Sequence, residues 1–209
     1  MAGSSLSTTD ALGVIGARGH AKVLIAAARA AGFDVGAAFD DDPALAGGAV
    51  LGVPVRGVVS AAAGWPGPLV VAIGDNAIRK RLVLALGARR WASVVHPRAW
   101  VHESVRIGAG SVVFAGAIVQ PDAVLGDHAI VNTAASVDHD CRIGDFGHVG
   151  PGAHLSGSTI LEDGAFLGTG SATRQGVRIG AWTTVGVGGV VVRDLPPGVV
   201  AVGVPARPR

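Results

Sequence analysis

Four consecutive residues, Asp138-His139-Asp140-Cys141, gather three kinds of reactive side chain. His139 has a carboxylate on either side. Neighbouring carboxylates stabilise an imidazolium, orient the ring and raise its basicity. The arrangement suits a general base acting on an amine or hydroxyl nucleophile. The same run holds metal-ligand types, but neighbours in an extended strand point to opposite faces and do not converge on one ion. No metal is expected. Asn132, a little upstream, is a candidate to hold the site through an amide hydrogen bond. Three more polar clusters precede this block: Gly16 to His20 (GARGH), the aspartates Asp40, Asp41 and Asp42, and Gly74-Asp75-Asn76.

The elements before residue 96 place those three clusters together. Ala11 to Ile15 reads as a strand, Lys22 to Ala31 as an Ala-rich helix closed by Gly32, and Val35 to Phe39 as a second strand. Strands follow around Val53 to Val55 and at Leu69 to Ile73, then a helix from Asn76 to Leu86 and a fifth strand from Trp91 to Val95. Such alternation predicts βαβ units on a parallel sheet, with ligands beyond the carboxyl ends of the strands. All three clusters fall at those ends. Gly13, Gly16 and Gly19 do not form GxGxxG, so a dinucleotide fingerprint is weak. The turn still lets backbone approach closely, and the helix start favours an anion. A phosphate-bearing nucleotide is the functional expectation. The alternative is that the glycines only make tight turns while the aspartates cap and solvate.

Beyond residue 96 a different rule takes over. From Val101 to Val191 every sixth residue is aliphatic, with Thr173 the one exception. Four residues after each, the side chain is nearly always small, as at Ser111, Ala117, Cys141 and Thr159. A period of six predicts three short strands per turn of a solenoid, whose units bury their apolar face only by stacking. The span gives roughly five coils. No insertion breaks the phase, so no long loop protrudes. Cys141 falls at a small inward position and reads as core, whereas His139 falls outside the inward phase.

Composition narrows the function. Charged residues make up 15% of the chain, low for a soluble surface, which suggests flanks covered by another chain. The net charge of +2, with no basic run, argues against nucleic acid. A single cysteine precludes an intrachain disulfide and fits a reducing compartment. Residues 1–10 lack the charged-then-apolar pattern of a secretion signal, and no long uninterrupted apolar window suggests a membrane span. A cytoplasmic location is expected.

Specific strings add a resemblance. GARGHAKV, VNTAASVDHDCRIGDFGHVGPGAHLSG, FLGTGS and VVRDLPPGVVAVGVPAR resemble the hexapeptide-repeat acetyltransferases acting on nucleotide sugars, such as those of the bacillosamine and perosamine pathways. Sialic acid O-acetyltransferases share this outline. The resemblance covers nearly the whole chain. It implies a Rossmann-like α/β nucleotide-sugar-binding domain (1–95), then a left-handed parallel β-helix acetyltransferase domain (96–209), assembled as a homotrimer. It also implies transfer of acetyl from acetyl-CoA to the amino group, at C4, of a nucleotide-linked amino-deoxy sugar, as in O-antigen or glycan biosynthesis. His139 takes the place of the family's catalytic base and Asp140 that of its acidic neighbour. His148, Thr169 and Val187 take acetyl-CoA-binding places. Arg18, Gly19, His20, Asp40, Asp41 and Gly74 take sugar-nucleotide-binding places. Arg18 departs from the usual Ser or Gly, which leaves the nucleotide base open. The rival readings are a sugar O-acetyltransferase, a non-catalytic scaffold solenoid and an NAD-dependent enzyme.

Overall fold

A computed structural model describes residues 11–209. The polar N-terminal stretch, read above as no secretion signal, lies outside the described residues. The chain separates into two compact units, one ending at Ala92 and one running from Ser93 to Arg209.

The first unit is α/β. Its strands β1 (Leu12–Ile15), β2 (Val35–Phe39) and β5 (Leu69–Val71) form a parallel sheet in the order β2-β1-β5. Helices α1 (Gly19–Ala30) and α2 (Asn76–Leu86) follow β1 and β5. The expected third strand is half of an antiparallel hairpin of β3 (Ala49–Val50) and β4 (Val53–Pro54). Only Val55 reaches the sheet, by a bridge to Ala38. The expected fifth strand is split. Trp91 makes one bridge to Leu69, while Val94–Val95 pairs with Val112–Val113 in the second unit. The reason is in the period: Val95 lies six residues before Val101, so the repeat starts one unit earlier than the sequence reading placed it.

The second unit is a three-faced left-handed β-helix of about six turns. Up to Val190–Val191 each strand is two residues long, and successive strands of a face pair in parallel at a spacing of 18 residues; the closing strand Val200–Val202 has three residues and pairs with Thr184–Val185. Face 1 runs from Val94–Val95 through Ile130–Val131 and His148–Val149 to Val200–Val202. Face 2 runs from Trp100–Val101 through Ser136–Val137 to Val190–Val191. Face 3 runs from Arg106–Ile107 through Arg142–Ile143 to Arg178–Ile179. The coil count exceeds the expected five because Val94–Val95 and Val200–Val202 extend face 1 beyond the strict repeat. The aliphatic column is the core: Val113, Val131, Val149, Leu161 and Val185 are all fully buried. The small column is buried with it, since only short side chains fit where three faces converge. Its hydroxyls bond carbonyls inside the chain, as Ser111 does to Gly126 O at 2.7 Å and Thr183 to Pro196 O at 2.6 Å.

Thr173 breaks the aliphatic column for a local reason. Its Oγ1 accepts the Ser156 N–H at 3.0 Å and lies 3.1 Å from the Thr159 hydroxyl. In other turns the equivalent N–H donates to a strand carbonyl, as Asp138 does to Leu155 O at 3.0 Å. A second ladder stitches one edge: Asp127, Asp145 and Asp163 each take an N–H from the preceding turn at 2.8 to 2.9 Å. These carboxylates are structural.

Candidate active site

His139 lies at a corner between faces 2 and 3, where the chain turns from Ser136–Val137 to Arg142–Ile143. The turn forces Asp140 into the left-handed region (φ 59°), which aspartate tolerates better than most side chains. That bend brings its carboxylate back to the imidazole: His139 Nδ1 to Asp140 Oδ2 is 2.8 Å. Asp138 fixes the entry to the turn by accepting the His139 N–H at 2.7 Å. The hydrogen bond to Asp140, opposed by desolvation and aided by the charges of Asp138 and Asp140, raises the His139 pKa above its ordinary value. With Nδ1 donating to Asp140, Nε2 is left as the basic nitrogen. His139 borders a depression of about 350 Å³, lined also by Gly157, Ser158, Gln175 and Gly176. A further depression shares Gln175 and adds Ser156 and Arg174.

Cys141 is fully buried beside this corner, and its Sγ donates to Ser156 O at 3.3 Å. Burial pushes the thiol up to about 11. It is a core residue, in keeping with its inward phase.

The residues expected to contact acetyl-CoA lie elsewhere on the helix. His148 is a buried strand residue of face 1, not a corner residue. Its Nε2 is 3.0 Å from Asn132 Nδ2, and its ring packs against Phe166 with centroids 4.9 Å apart. Asn132 therefore supports His148. Thr169 and Val187 occupy successive turns at the corner between faces 1 and 2, linked by Gly188 N–H to Thr169 O at 2.9 Å. Val187 is 81% exposed, a large apolar side chain left in solvent. Within one chain, the corner carrying His139 and the corner carrying Thr169 and Val187 are different edges of the prism.

In the first unit, the expected nucleotide-binding residues do gather at the carboxyl edge of the sheet. Arg18 is the N-cap residue of α1, and Gly19 and His20 open its first turn. Asp40 follows β2, and Gly74 follows β5. The aspartates are already partly engaged. Asp40 accepts the Ala17 N–H at 2.8 Å and the Asp42 N–H at 3.0 Å, while Asp41 accepts the Val59 N–H at 2.8 Å. They organise the loops around the edge while keeping further lone pairs to offer. Arg18 reaches Asp42 at 2.5 Å in an exposed pair, of modest energetic value.

One residue of this edge escaped the sequence reading. Arg79, on α2, is 1% exposed. Its guanidinium donates to Ile73 O at 2.9 Å, Gly74 O at 3.3 Å and Asn76 Oδ1 at 2.8 Å. It holds the loop that carries Gly74. Burial lowers the Arg79 pKa to about 10. Burial first, and the Arg79 charge second, lower His20 to about 4, so the imidazole is neutral at physiological pH. An arginine in a helix ordinarily reads as a solvent face, so the spacing gave no signal.

Comparison with known proteins agrees with this architecture. Residues 11–86 match the PglD N-terminal domain. The acetyltransferase domain of PglB from Neisseria gonorrhoeae is 42% identical, with 95% of this chain and 98% of that one covered and a TM-score of 0.88; it is also known with acetyl coenzyme A bound. PerB from Caulobacter crescentus, in complex with CoA and GDP-perosamine, is 45% identical, with 95% and 97% covered and a TM-score of 0.88. A 119-residue stretch is 31% identical to the uncharacterized protein L142 of Acanthamoeba polyphaga mimivirus, 56% of this chain but only 24% of that relative's length. With such identity over nearly the full length of the two bacterial structures, the chain belongs to the PglD-type family of hexapeptide-repeat nucleotide-sugar N-acetyltransferases.

Proposed function

We propose that this chain transfers acetyl from acetyl-CoA to the amino group, at C4, of a nucleotide-linked amino-deoxy sugar, with His139 as general base. The observation that carries the reading is the His139–Asp140 pair. It is a histidine of raised basicity, its Nδ1 held by Asp140, beside a depression on a scaffold shared with proteins that bind acetyl-CoA or CoA and a nucleotide amino sugar. The amine lone pair attacks the thioester carbonyl, and Nε2 takes the N–H proton. Collapse of the tetrahedral adduct expels CoA as thiolate, which takes up the proton released by His139 and so restores the base. Asp140 stabilises the imidazolium, and backbone amides near the thioester stabilise the oxyanion. No covalent enzyme intermediate is required.

His148, Thr169 and Val187 are assigned to acetyl-CoA. Arg18, Gly19, His20, Asp40, Asp41 and Gly74 are assigned to the sugar nucleotide. Residues 1–95 serve as the nucleotide-sugar domain and 96–209 as the acetyltransferase domain. The reading includes a homotrimer, in which side-by-side prisms would bring the His139 edge of one copy to the Thr169–Val187 edge of the next. The cytoplasm is the assigned compartment, in keeping with the single cysteine.

The test is a thiol-release assay with acetyl-CoA across UDP-, GDP- and dTDP-linked 4-amino sugars, for the wild type and His139→Ala. Turnover of at least one amino sugar, reduced by about 10²-fold or more in the variant, is expected. Acetylation of hydroxyl acceptors alone would favour the O-acetyltransferase reading. Full activity in His139→Ala would dismiss the mechanism.

A further inference from the structure

We propose that Gly157 is a positioning residue for His139: the side chain it lacks leaves the seat on which the imidazole rests. The inference rests on His139 being the base and extends that reading to the neighbouring turn. A Cβ placed at Gly157 would lie 2.6 Å from Nε2, 2.7 Å from Cε1 and 3.3 Å from Cδ2 of His139, and its three nearest heavy atoms all belong to that ring.

The backbone conformation at this position does not demand glycine. Its φ is outside the left-handed region, so the backbone there accepts an L side chain. No backbone atom is among the three nearest to that Cβ. By contrast, a Cβ at Gly150 would meet Leu167 O at 2.6 Å and one at Gly168 would meet Val185 O at 2.5 Å. The corner column makes the same point. At 18-residue spacing it reads Glu103, Pro121, His139, Gly157, Gln175, Arg193, and the side chain is missing only on the turn stacked against His139.

The solenoid uses a ring over glycine at two other corners, His128 against Gly110 and Trp182 against Gly164. Those glycines also have φ of 70° and 65°, which gives them a second reason to be glycine. Gly157 lacks that second reason. The height of its turn is set by side chains as well. Thr173 Oγ1 holds the Ser156 N–H, and Ser156 Oγ donates to Thr173 O at 2.7 Å. The break in the aliphatic column therefore sits under the seat.

An alanine at 157 requires the ring to withdraw by roughly 0.8 Å to reach ordinary contact. Its Nδ1 remains tethered to Asp140. The ring is exposed, so it moves at little cost in stability, whereas a misplacement of about 1 Å costs on the order of 10²-fold in rate.

The experiment measures kcat, KM for both substrates and Tm for the wild type, Gly157→Ala, His139→Ala and the double variant. Gly198→Ala, a left-handed glycine with open space around it, is the control. We expect Gly157→Ala to lose about 10- to 100-fold in kcat, with KM for acetyl-CoA within about twofold and Tm nearly unchanged. Gly198→Ala should keep the activity per folded molecule. An unchanged kcat in Gly157→Ala, with His139→Ala inactive, overturns the seat and leaves the base in place. A fully active His139→Ala removes the base reading itself. A rise in KM for acetyl-CoA at constant kcat also overturns the seat, since it assigns Gly157 to binding. If Gly157→Ala is unstable, removing the ring must restore the double variant to the Tm of His139→Ala. A double variant as unstable as Gly157→Ala gives the glycine a role unrelated to His139.

Discussion

Acid should loosen the first unit through one histidine. His20, in the opening turn of α1, is pushed from 6.5 to about 4 by burial first and by the Arg79 guanidinium second. Between those two values the unfolded chain binds a proton at this site that the folded chain refuses. Stability contributed by neutral His20 is thus intact above pH 6.5 and is lost as pH falls towards 4. The full loss is about 3 kcal/mol, of which about 2 kcal/mol has gone by pH 5. Against a total stability of roughly 5–15 kcal/mol for a domain, that change is measurable. The assay is urea unfolding at pH 7.5 and 5.0, with hydrogen exchange of the Leu12–Ile15 amides reporting on this unit alone. Wild type should lose about 2 kcal/mol more than His20→Gln between the two conditions. His139 is shifted in the opposite direction but is present in both proteins, so it cancels. Equal losses in the two proteins would refute the reasoning, because the acid sensitivity would then come from other groups.

Two further outcomes concern the His139 corner. Asp140→Asn keeps a residue that tolerates the left-handed turn but removes the main cause of the raised His139 pKa. The acid limb of kcat/KM should move to lower pH, and the plateau should fall on the order of tenfold; a profile superimposable on wild type would count against the pair. Thr173→Val completes the aliphatic column, yet it strips the Ser156 N–H of its acceptor, so a loss of about 1–2 kcal/mol is expected in urea unfolding. A gain in stability would mean that the column, and not the hydroxyl, governs this position.

Much of the second unit was legible because its rule is local. A side chain every sixth residue must face inward if three two-residue strands make a turn, and burial of Val113, Val131 and Val149 follows from that count alone. The ends were harder, since Val95 belongs to the period but sits in a stretch that also reads as a strand of the α/β unit. The small βαβ sheet was legible at β1, β2 and β5, whose apolar runs are buried on both faces. Val53 to Val55 misled because a single bridge and a hairpin carry the same residue types as a full strand.

The site divides along similar lines. The His139–Asp140 pair was readable because both members lie in one turn, two residues past an inward position. Arg79 was not, because its role depends on a loop folding over a helix, bringing Ile73 and Gly74 carbonyls to a side chain that the helical period places at random with respect to them. Asp40 and Asp41 were readable as residues of the sheet's ligand edge, but not as acceptors for Ala17 and Val59 N–H groups, since those bonds join separate loops. Arg18 likewise meets Asp42, a partner the fold supplies.

The deepest limit comes from the repeat itself. In a solenoid with an 18-residue turn, a residue's phase fixes its edge, and no further folding of the chain moves it to another. His139 has the phase of the corner between faces 2 and 3, while Thr169 and Val187 have that of the corner between faces 1 and 2. A mechanism that uses all three must span two edges of one prism or join the edges of two copies, and the proposed trimer is the second case. If the trimer forms as proposed, mixing His139→Ala chains with chains disabled at the Thr169–Val187 corner should restore part of the lost activity, because some interfaces then pair two intact edges. Chains that work only within themselves would show no such rescue, and the assignment of Thr169 and Val187 to the same reaction as His139 would have to be abandoned.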